Sequence, residues 1–514
     1  MYEDYPYWDK QRKQNRHRRV YIGKLGDDGS FIPNKRYLGL KNDSASPPEG
    51  RNRRLYCGVT HLLNEIGRMT GIEADLKACF PDGYKKLLSL AYYLVSESDS
   101  PLYRFPRWAH DHWHPFGGNI PSQRIGELLG GITESGRLAF FKRQTRRRRE
   151  REYLAYDTTS VSSMSECIKA VRYGKNKDDE PLPQVNLALV FGEESGMPVY
   201  YRVLPGNIQD VSTVKKLLKD VEFPEIKKLK LVMDRGFYSA KNINALYKGR
   251  HKFLIAVRAG VNFVSDILKR ARESIKSFSN YDEEHDVYSQ YNMEEWPYSE
   301  TDKNGKAVKR GSRRIYVHIY YNGTRAEDEK TRFIKSLRMA ETAILAGDCD
   351  DERCLALASK YFHVNNTPAR GLRVSYREDD IKRHIDGLGY FVLLSNDIND
   401  PSAAIEAYRR KDMVEKAFDN LKERLGMRRT TVHSDEALAG KFFLQFLSLM
   451  YVSYIHKCMK ENSLYQNYTM QTLLDSLDVI ERYEREGERY HCGEITERQR
   501  ELFRAFDANI PNTL

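Results

Sequence analysis

From about residue 152 onward, apolar and polar positions alternate in short runs, and this period of two predicts strands. They fall at Glu152–Asp157, Val185–Phe191 and Pro198–Leu204, the last two joined by Gly192–Met197, a connection of hairpin length. Val211–Val221 has helical spacing, Leu229–Asp234 is a fourth strand stopped by Arg235-Gly236, and a second helix leads to a strand at Phe253–Val257. Three strands, helix, strand, helix, strand predict an α/β layer with a mixed sheet. The pattern weakens over 260–385, where a strand-like Arg314–Tyr321 and an acidic Asp348–Glu352 stand among charged stretches. It resumes with a buried strand at Gly389–Ser395 and a helix at Ser402–Leu425, the longest that the spacing supports. The weak stretch therefore reads as an insertion within one α/β domain. Upstream, 56–150 reads as helical, with an amphipathic Tyr84–Val95 and an N-cap candidate at Ser122. Residues 1–55 read as basic and irregular, with a linker at Ser44–Asn52 carrying Pro47-Pro48, and 436–485 reads as helical.

Composition narrows the function. The 514 residues suffice for several domains, and 84 Lys plus Arg against 72 Asp plus Glu give a net charge of +12, which favours a polyanionic partner. With 40% hydrophobic and 11% aromatic residues, wholesale disorder and a coiled coil are excluded. The best apolar run, Phe442–Ile455, is too short to span a bilayer, and the N-terminus opens without an apolar segment, so neither membrane insertion nor a secretory signal is expected. Seven scattered cysteines fit a reducing cytoplasm better than a disulfide framework. Two basic runs, Lys10–Arg19 and Lys142–Glu152, suggest phosphate contact for at least one of them, and Ser122–Arg137 reads as half of a helix-turn-helix.

Two aspartates end predicted strands: Asp157 in Ala-Tyr-Asp-Thr-Thr-Ser and Asp234 in Val-Met-Asp-Arg-Gly-Phe-Tyr. Strand ends of α/β sheets carry sites, though either residue alone also reads as an ordinary turn former. On the Ser402–Leu425 helix, Tyr408, Lys411, Glu415 and Lys422 fall on a stripe roughly 60° wide beside the apolar Ala417, Phe418, Leu421 and Leu425. A solvated face with i, i+4 pairs such as Lys411–Glu415 gives the same pattern.

In full, Tyr408-Arg-Arg-Lys411-Asp-Met-Val-Glu415-Lys-Ala-Phe-Asp-Asn-Leu-Lys422 resembles the Tyr, Arg, Glu, Lys signature of insertion-sequence DDE transposases of the YREK branch, with Lys411 standing where that pattern has Arg. Asp157-Thr158-Thr159 resembles the first aspartate box of those enzymes and Asp234-Arg-Gly-Phe-Tyr-Ser the second. The similarity extends over roughly 120–455 and implies an α/β RNase H-like core with a mixed sheet, interrupted by a mostly β insertion and flanked by helical N- and C-terminal regions. The organisation it implies is a basic segment at 1–55, a helical DNA-binding region at 56–150, the first part of the core at 151–260, and the insertion at 261–385. The second part of the core, with the YREK-like helix, follows at 386–430, and a helical C-terminal region at 431–514.

The resemblance implies cut-and-paste DNA transposition: cleavage at the ends of an insertion sequence and transfer of the freed 3′ ends to target DNA. Asp157, Asp234 and Glu415 would be catalytic and hold two Mg²⁺ ions, with Mn²⁺ as a substitute. Carboxylates suit that role, because Mg²⁺ prefers hard oxygen ligands and two ions can serve the attacking and leaving oxygens of an in-line displacement. Tyr408, Lys411, Lys422 and Arg235 would contact DNA, and Trp296 would stack an unpaired base, although Trp296 also reads as the centre of a small β core. The partners implied are double-stranded DNA, both element ends and target, and a second copy of the chain. The location implied is the cytoplasm, at the nucleoid. A metal-dependent RNase H-like nuclease that only hydrolyses is one alternative, which needs neither the YREK-like helix nor the insertion. An inactive DNA-binding copy is another, against which the intact acidic triad argues. His110, His112 and His114 alternate as metal ligands can, but no fourth ligand stands at a recognised spacing, and Cys349 and Cys354 lack the second pair a zinc module needs.

Overall fold

The structure is a computed structural model describing residues 2–9, 14–25, 31–34, 53–147, 152–221, 229–301, 307–367, 371–484 and 490–512. The expected linker at Ser44–Asn52, and Lys10–Lys13 and Arg148–Arg151 of the two basic runs, lie outside the described residues.

Most core strands follow the alternation; the first, expected to end at Asp157, runs on to Ser163, because residues 158–162 stay paired with the next strand. β1 (Leu154–Ser163), β2 (Gln184–Gly192) and β3 (Met197–Pro205) form an antiparallel meander, then come helix α1 (Asp210–Val221), β4 (Lys230–Met233), helix α2 (Ala240–Lys248) and β5 (Lys252–Val257). They lie in the order β3-β2-β1-β4-β5, with β1, β4 and β5 mutually parallel and β2 antiparallel to both neighbours. That order and sense are those of an RNase H-like sheet, as expected. The two crossovers run through α1 and α2, as parallel neighbours require. Along β1, Ala155 packs into one core with the N-terminal helices, while Tyr156 packs into the other, with α1, α2 and the strands beyond β5.

The insertion departs from a mostly β module. After helix α3 (Asn262–Ala271), two long strands, β6 (Val287–Thr301) and β7 (Ala307–Tyr321), form a hairpin, but helices α4 (Gly323–Ala346) and α5 (Glu352–Tyr361) follow. A second hairpin, β8 (Phe362–Thr367) with β9 (Gly371–Tyr376), and helix α6 (Glu378–Ile385) complete it. The charged residues that blurred the sequence pattern belong to exposed faces of these helices, which pack a small core of their own around Phe333, Leu337, Tyr361 and Phe362. Nor is the first hairpin separate from the main sheet. Returning strand β10 (Tyr390–Ser395) pairs antiparallel with β5 on one side and β7 on the other. From β7, Tyr320 donates a 2.7 Å hydrogen bond to the Pro401 carbonyl, and His318 Nε2 lies 3.0 Å from the Ile398 carbonyl.

Several further expectations are corrected. The helix predicted at Ser402–Leu425 is broken: α7 (Pro401–Arg410) and α8 (Asp412–Asp419) meet at Lys411, and a π-helical turn (Asn420–Arg424) follows, so one stripe on a straight helix does not describe it. The longest described helix is α9 (Asp435–Glu461), of 27 residues. By length and hydropathy α9 could cross a membrane, yet 83% of its apolar window is buried inside the protein, among helices such as Gly58–Met69 and Tyr84–Ser96. Ser122 is the first residue of its helix, with no side-chain cap, and the helices Ser122–Gly130 and Glu134–Arg147 flank a short turn. Residues 2–9 with 14–21, and 23–25 with 31–33, in a region expected to be irregular, form two antiparallel strand pairs. Cys349 and Cys354 are joined in a disulfide, where only free thiols were expected. In the second basic run, Arg147 is committed internally, its Nε and Nη2 donating to buried Asp75 at 2.7 and 2.8 Å.

In the β2–β3 turn, Glu193 is 5% exposed and its Oε1 has no hydrogen-bond partner among the described residues. Burial, with a smaller contribution from the charges of Glu152 and Glu194, outweighs Arg410 and raises its carboxyl to about 8. A carboxyl with a raised folded pKa contributes stability that is complete below its unfolded value near 4.5 and lost as pH climbs through 8. Glu193→Gln is therefore expected to melt close to wild type at pH 5 and above it at pH 9. Parallel melting curves for the two proteins across that range would contradict this.

Candidate active site

Register brings the two aspartates together. Tyr156 pairs with Met233 on parallel β1 and β4, so the next residues come side by side: Asp157, still within β1 and paired with Leu189 of β2, and Asp234, just past the end of β4. Neighbouring strands are about 4.8 Å apart. Asp157 shares the face of Ala155 and Asp234 that of Val232, and the α7–α8 segment covers this side: Val414 and Phe418 pack with Ala155, and Ala404 and Ile405 with Val232. The same segment carries Glu415.

Each of these carboxylates is held by the protein. Asp157 Oδ1 accepts the Thr158 N–H at 2.7 Å and lies 3.5 Å from Lys177 Nζ. Asp234 Oδ1 accepts from the Tyr408 hydroxyl at 2.8 Å. Glu415 Oε1 accepts from Lys411 Nζ at 2.7 Å, and the Lys411 side chain is 5% exposed. Burial pushes the Asp157 carboxyl above its ordinary value, against the pull of Lys177, the Thr158 N–H and Lys411. For Lys411, burial works against the ammonium, but the Glu415 hydrogen bond and charge, joined by Asp234 and Asp157, outweigh it and raise the pKa. Burial and Asp234 raise the Tyr408 hydroxyl, which stays a donor.

A fourth carboxylate, missed in the sequence, adjoins the site. Asp210 opens α1, accepts from Thr158 Oγ1 at 2.5 Å and lies 3.5 Å from Lys177 Nζ. A Cβ on Gly236, in the turn after Asp234, would meet Asp210 Oδ2 at 3.4 Å. Asp210 and Lys177 were legible only as a helix-start acid and a loop lysine, because the β1–β2 connection brings Lys177 back over β1.

The expected DNA-contacting residues are placed unevenly. Arg235 is exposed beside Asp234, open to a phosphate. Lys411 is not: its ammonium turns inward among the acids. Lys422 Nζ donates to both oxygens of Asp178 at 2.7 Å. Trp296 is 3% exposed, with its Nε1 donating to Asn244 Oδ1 at 2.8 Å and its ring 4.9 Å from that of Phe263, so it belongs to the core and not to a base-stacking surface. The three alternating histidines are separately employed: His110 by Asp111, His112 by Asp478 and the Trp108 carbonyl, and His114 by Ser89.

Hard carboxylate oxygens are the right donors for Mg²⁺. Their arrangement does not match: among the described residues, no three Asp, Glu, His or Cys side chains stand close enough together to hold one metal ion. Lysine partners take up oxygens that an ion would need.

Residues 148–451 match the transposase DDE domain, a span that includes Asp157, Asp234 and Glu415, and the chain belongs to that family. Among solved structures it is similar to a piggyBac transposase synaptic complex with hairpin DNA, at 12% identity and a TM-score of 0.35, over 81% of this chain and 70% of that one. So distant a likeness transfers no residue roles. No curated protein matches the chain.

Proposed function

We propose that this chain is a DNA transposase of the YREK branch that cuts at the ends of an insertion sequence and joins the freed 3′ ends to target DNA, with Asp157, Asp234 and Glu415 as its catalytic carboxylates. The observation that carries the reading is the register match of Asp157 and Asp234 on adjacent parallel strands, beneath the segment that bears Glu415. Asp157 and Glu415 are already paired with Lys177 and Lys411, so their charges do not by themselves call for a further cation. Mg²⁺ is the proposed ion, on donor chemistry alone. The spacing of Tyr408, Lys411, Glu415 and Lys422 supports the branch, and exposed Arg235 supports phosphate contact beside the acids. Phosphate contacts of that kind fix register without reading sequence. Pairing of two element ends further implies a second copy of the chain.

The test mixes purified protein, a duplex carrying the element end, a target plasmid and Mg²⁺, then resolves the products on a denaturing gel. Covalently joined junctions, confirmed by sequencing, are the expected outcome. Efficient nicking without joined product, across several end sequences, would make the enzyme a nuclease instead.

A further inference from the structure

The β1–β2 connection returns across β1 and sets its own acids on cations that flank the candidate active site. An antiparallel bridge between Arg172 and Gln184 closes its base, with N–H to carbonyl distances of 2.9 and 3.0 Å. The tip, residues 175–180, lies along β1. Asn176 Nδ2 donates to Ser162 Oγ at 3.2 Å, and Lys177 Nζ donates to the Thr158 carbonyl and Oγ1 at 2.6 and 2.8 Å, next to Asp157. Asp178 accepts from Lys422 Nζ on both oxygens at 2.7 Å. Glu180 accepts from Ser162 Oγ at 2.6 Å and from Arg429 Nη2 at 2.8 Å. Arg429 opens a two-residue strand that pairs with Ser162 and Ser163, and its side chain is 64% exposed. About 17 Å of strand separates Ser162 from Asp157, roughly five steps of one DNA strand at about 3.4 Å each. A carboxylate offers an ammonium or a guanidinium the same charged oxygen acceptors that a phosphate does. In a chain of net charge +12, two cations beside the site are thus occupied by the protein's own anions.

We propose that the 178–180 tip is an autoinhibitory strap that imitates DNA phosphates, holding Lys422 and Arg429 until a duplex displaces its carboxylates and takes both cations. The proposal rests on the reading of this chain as a DNA transposase. It adds Arg429 to the DNA-contacting residues and gives Lys422 a masked and an unmasked state. Asn176 and Lys177, bonded to β1 itself, keep the strap anchored when the two acids let go.

The experiment measures binding of the full-length protein to a short duplex of mixed sequence by fluorescence anisotropy over a KCl series. EDTA is present throughout, so the readout does not depend on catalysis. Wild type is compared with Asp178→Asn, Glu180→Gln, Asp179→Asn and the double variant Asp178→Asn/Lys422→Ala. Asp179 is the control: exposed between the two acids, it bonds to no cation among the described residues, so neutralising it changes net charge without freeing a partner. Asp178→Asn and Glu180→Gln are each expected to bind roughly threefold tighter at low salt, with a salt dependence steeper by about one unit for the cation freed. Asp179→Asn should leave the slope unchanged, and Lys422→Ala should cancel the gain from Asp178→Asn. Melting temperatures taken alongside check that each protein is folded, and the two single variants test the strap independently of each other. Duplex binding in wild type with no gain in either variant, or with an equal gain in Asp179→Asn, would overturn the strap and leave the DNA reading standing. Absence of duplex binding in wild type and every variant alike would overturn the transposase reading, and this inference with it.

Discussion

Asp157→Asn is expected to abolish joining of element-end DNA to a target, lowering the rate by roughly a thousandfold or more, the scale on which single electrostatic groups act in catalysis. The side chain keeps its shape and can still accept the Thr158 N–H, so the fold should be unaffected; what disappears is a negative charge within β1, beside the end of β4. Asp234→Asn should behave alike, because it retains the Tyr408 hydroxyl as a partner while removing the second charge of the register-matched pair. Glu415→Gln completes the set, and since it removes the charge paired with the buried Lys411 ammonium, its melting temperature should fall below that of wild type. Duplex binding measured beside cleavage separates the effects: each variant should still bind the element end. Near-wild-type Mg²⁺-dependent cutting in any one variant would remove that residue from the catalytic set.

Trp296→Ala is expected to cost about 3–5 kcal/mol of folding stability, the range for truncating a large aromatic in a packed core. The indole lies at 3% exposure among Phe263 and its neighbours, and Asn244 Oδ1 would lose its donor. Trp296→Phe should recover part of the loss, since the ring contact survives and the hydrogen bond does not. Denaturant unfolding decides the matter. A variant as stable as wild type but slow in one late cleavage step would return Trp296 to a role in base stacking.

How much was legible follows from which interactions are local. Asp157 and Asp234 stood out because each follows an alternating run, and the register of the parallel pair sets them side by side, although β1 continues past Asp157 to Ser163 while β4 stops at Met233. The place of Asp210 and Lys177 depends on how the 164–183 connection returns over β1, which no short-range period encodes. Lys411 was read as one residue of a continuous helix bordering the core; it lies at the junction of two helices and is buried, which the spacing alone does not decide. Trp296 looked equally suited to surface and core because β6 alternates on both faces of a hairpin, and only the packing of α2 and α3 against it decides which face is covered. All but the first residue of α9 falls within the 436–485 stretch read as helical; its apolar run looked short because Lys441 and Lys457 bound it without interrupting the backbone, and the stretch ends in a strand at Glu481–Glu484.

The union of the insertion hairpin with the main sheet has a mechanical consequence. Through β10 and then β5 the hairpin joins the sheet whose next strands, β4 and β1, lead to the acids, and through Tyr320 and His318 it grips the turn from which α7 starts. With 15 residues in each strand, the arm is about 50 Å long when measured along its pleat. Load applied at its tip by anything bound there is transmitted as torque at Pro401, the root of the helix pair that positions Glu415. The arm is therefore a lever whose fulcrum lies beside the chemistry, and trimming it to obtain a smaller enzyme would strip β10 of its outer neighbour and loosen the very segment the catalytic glutamate stands on.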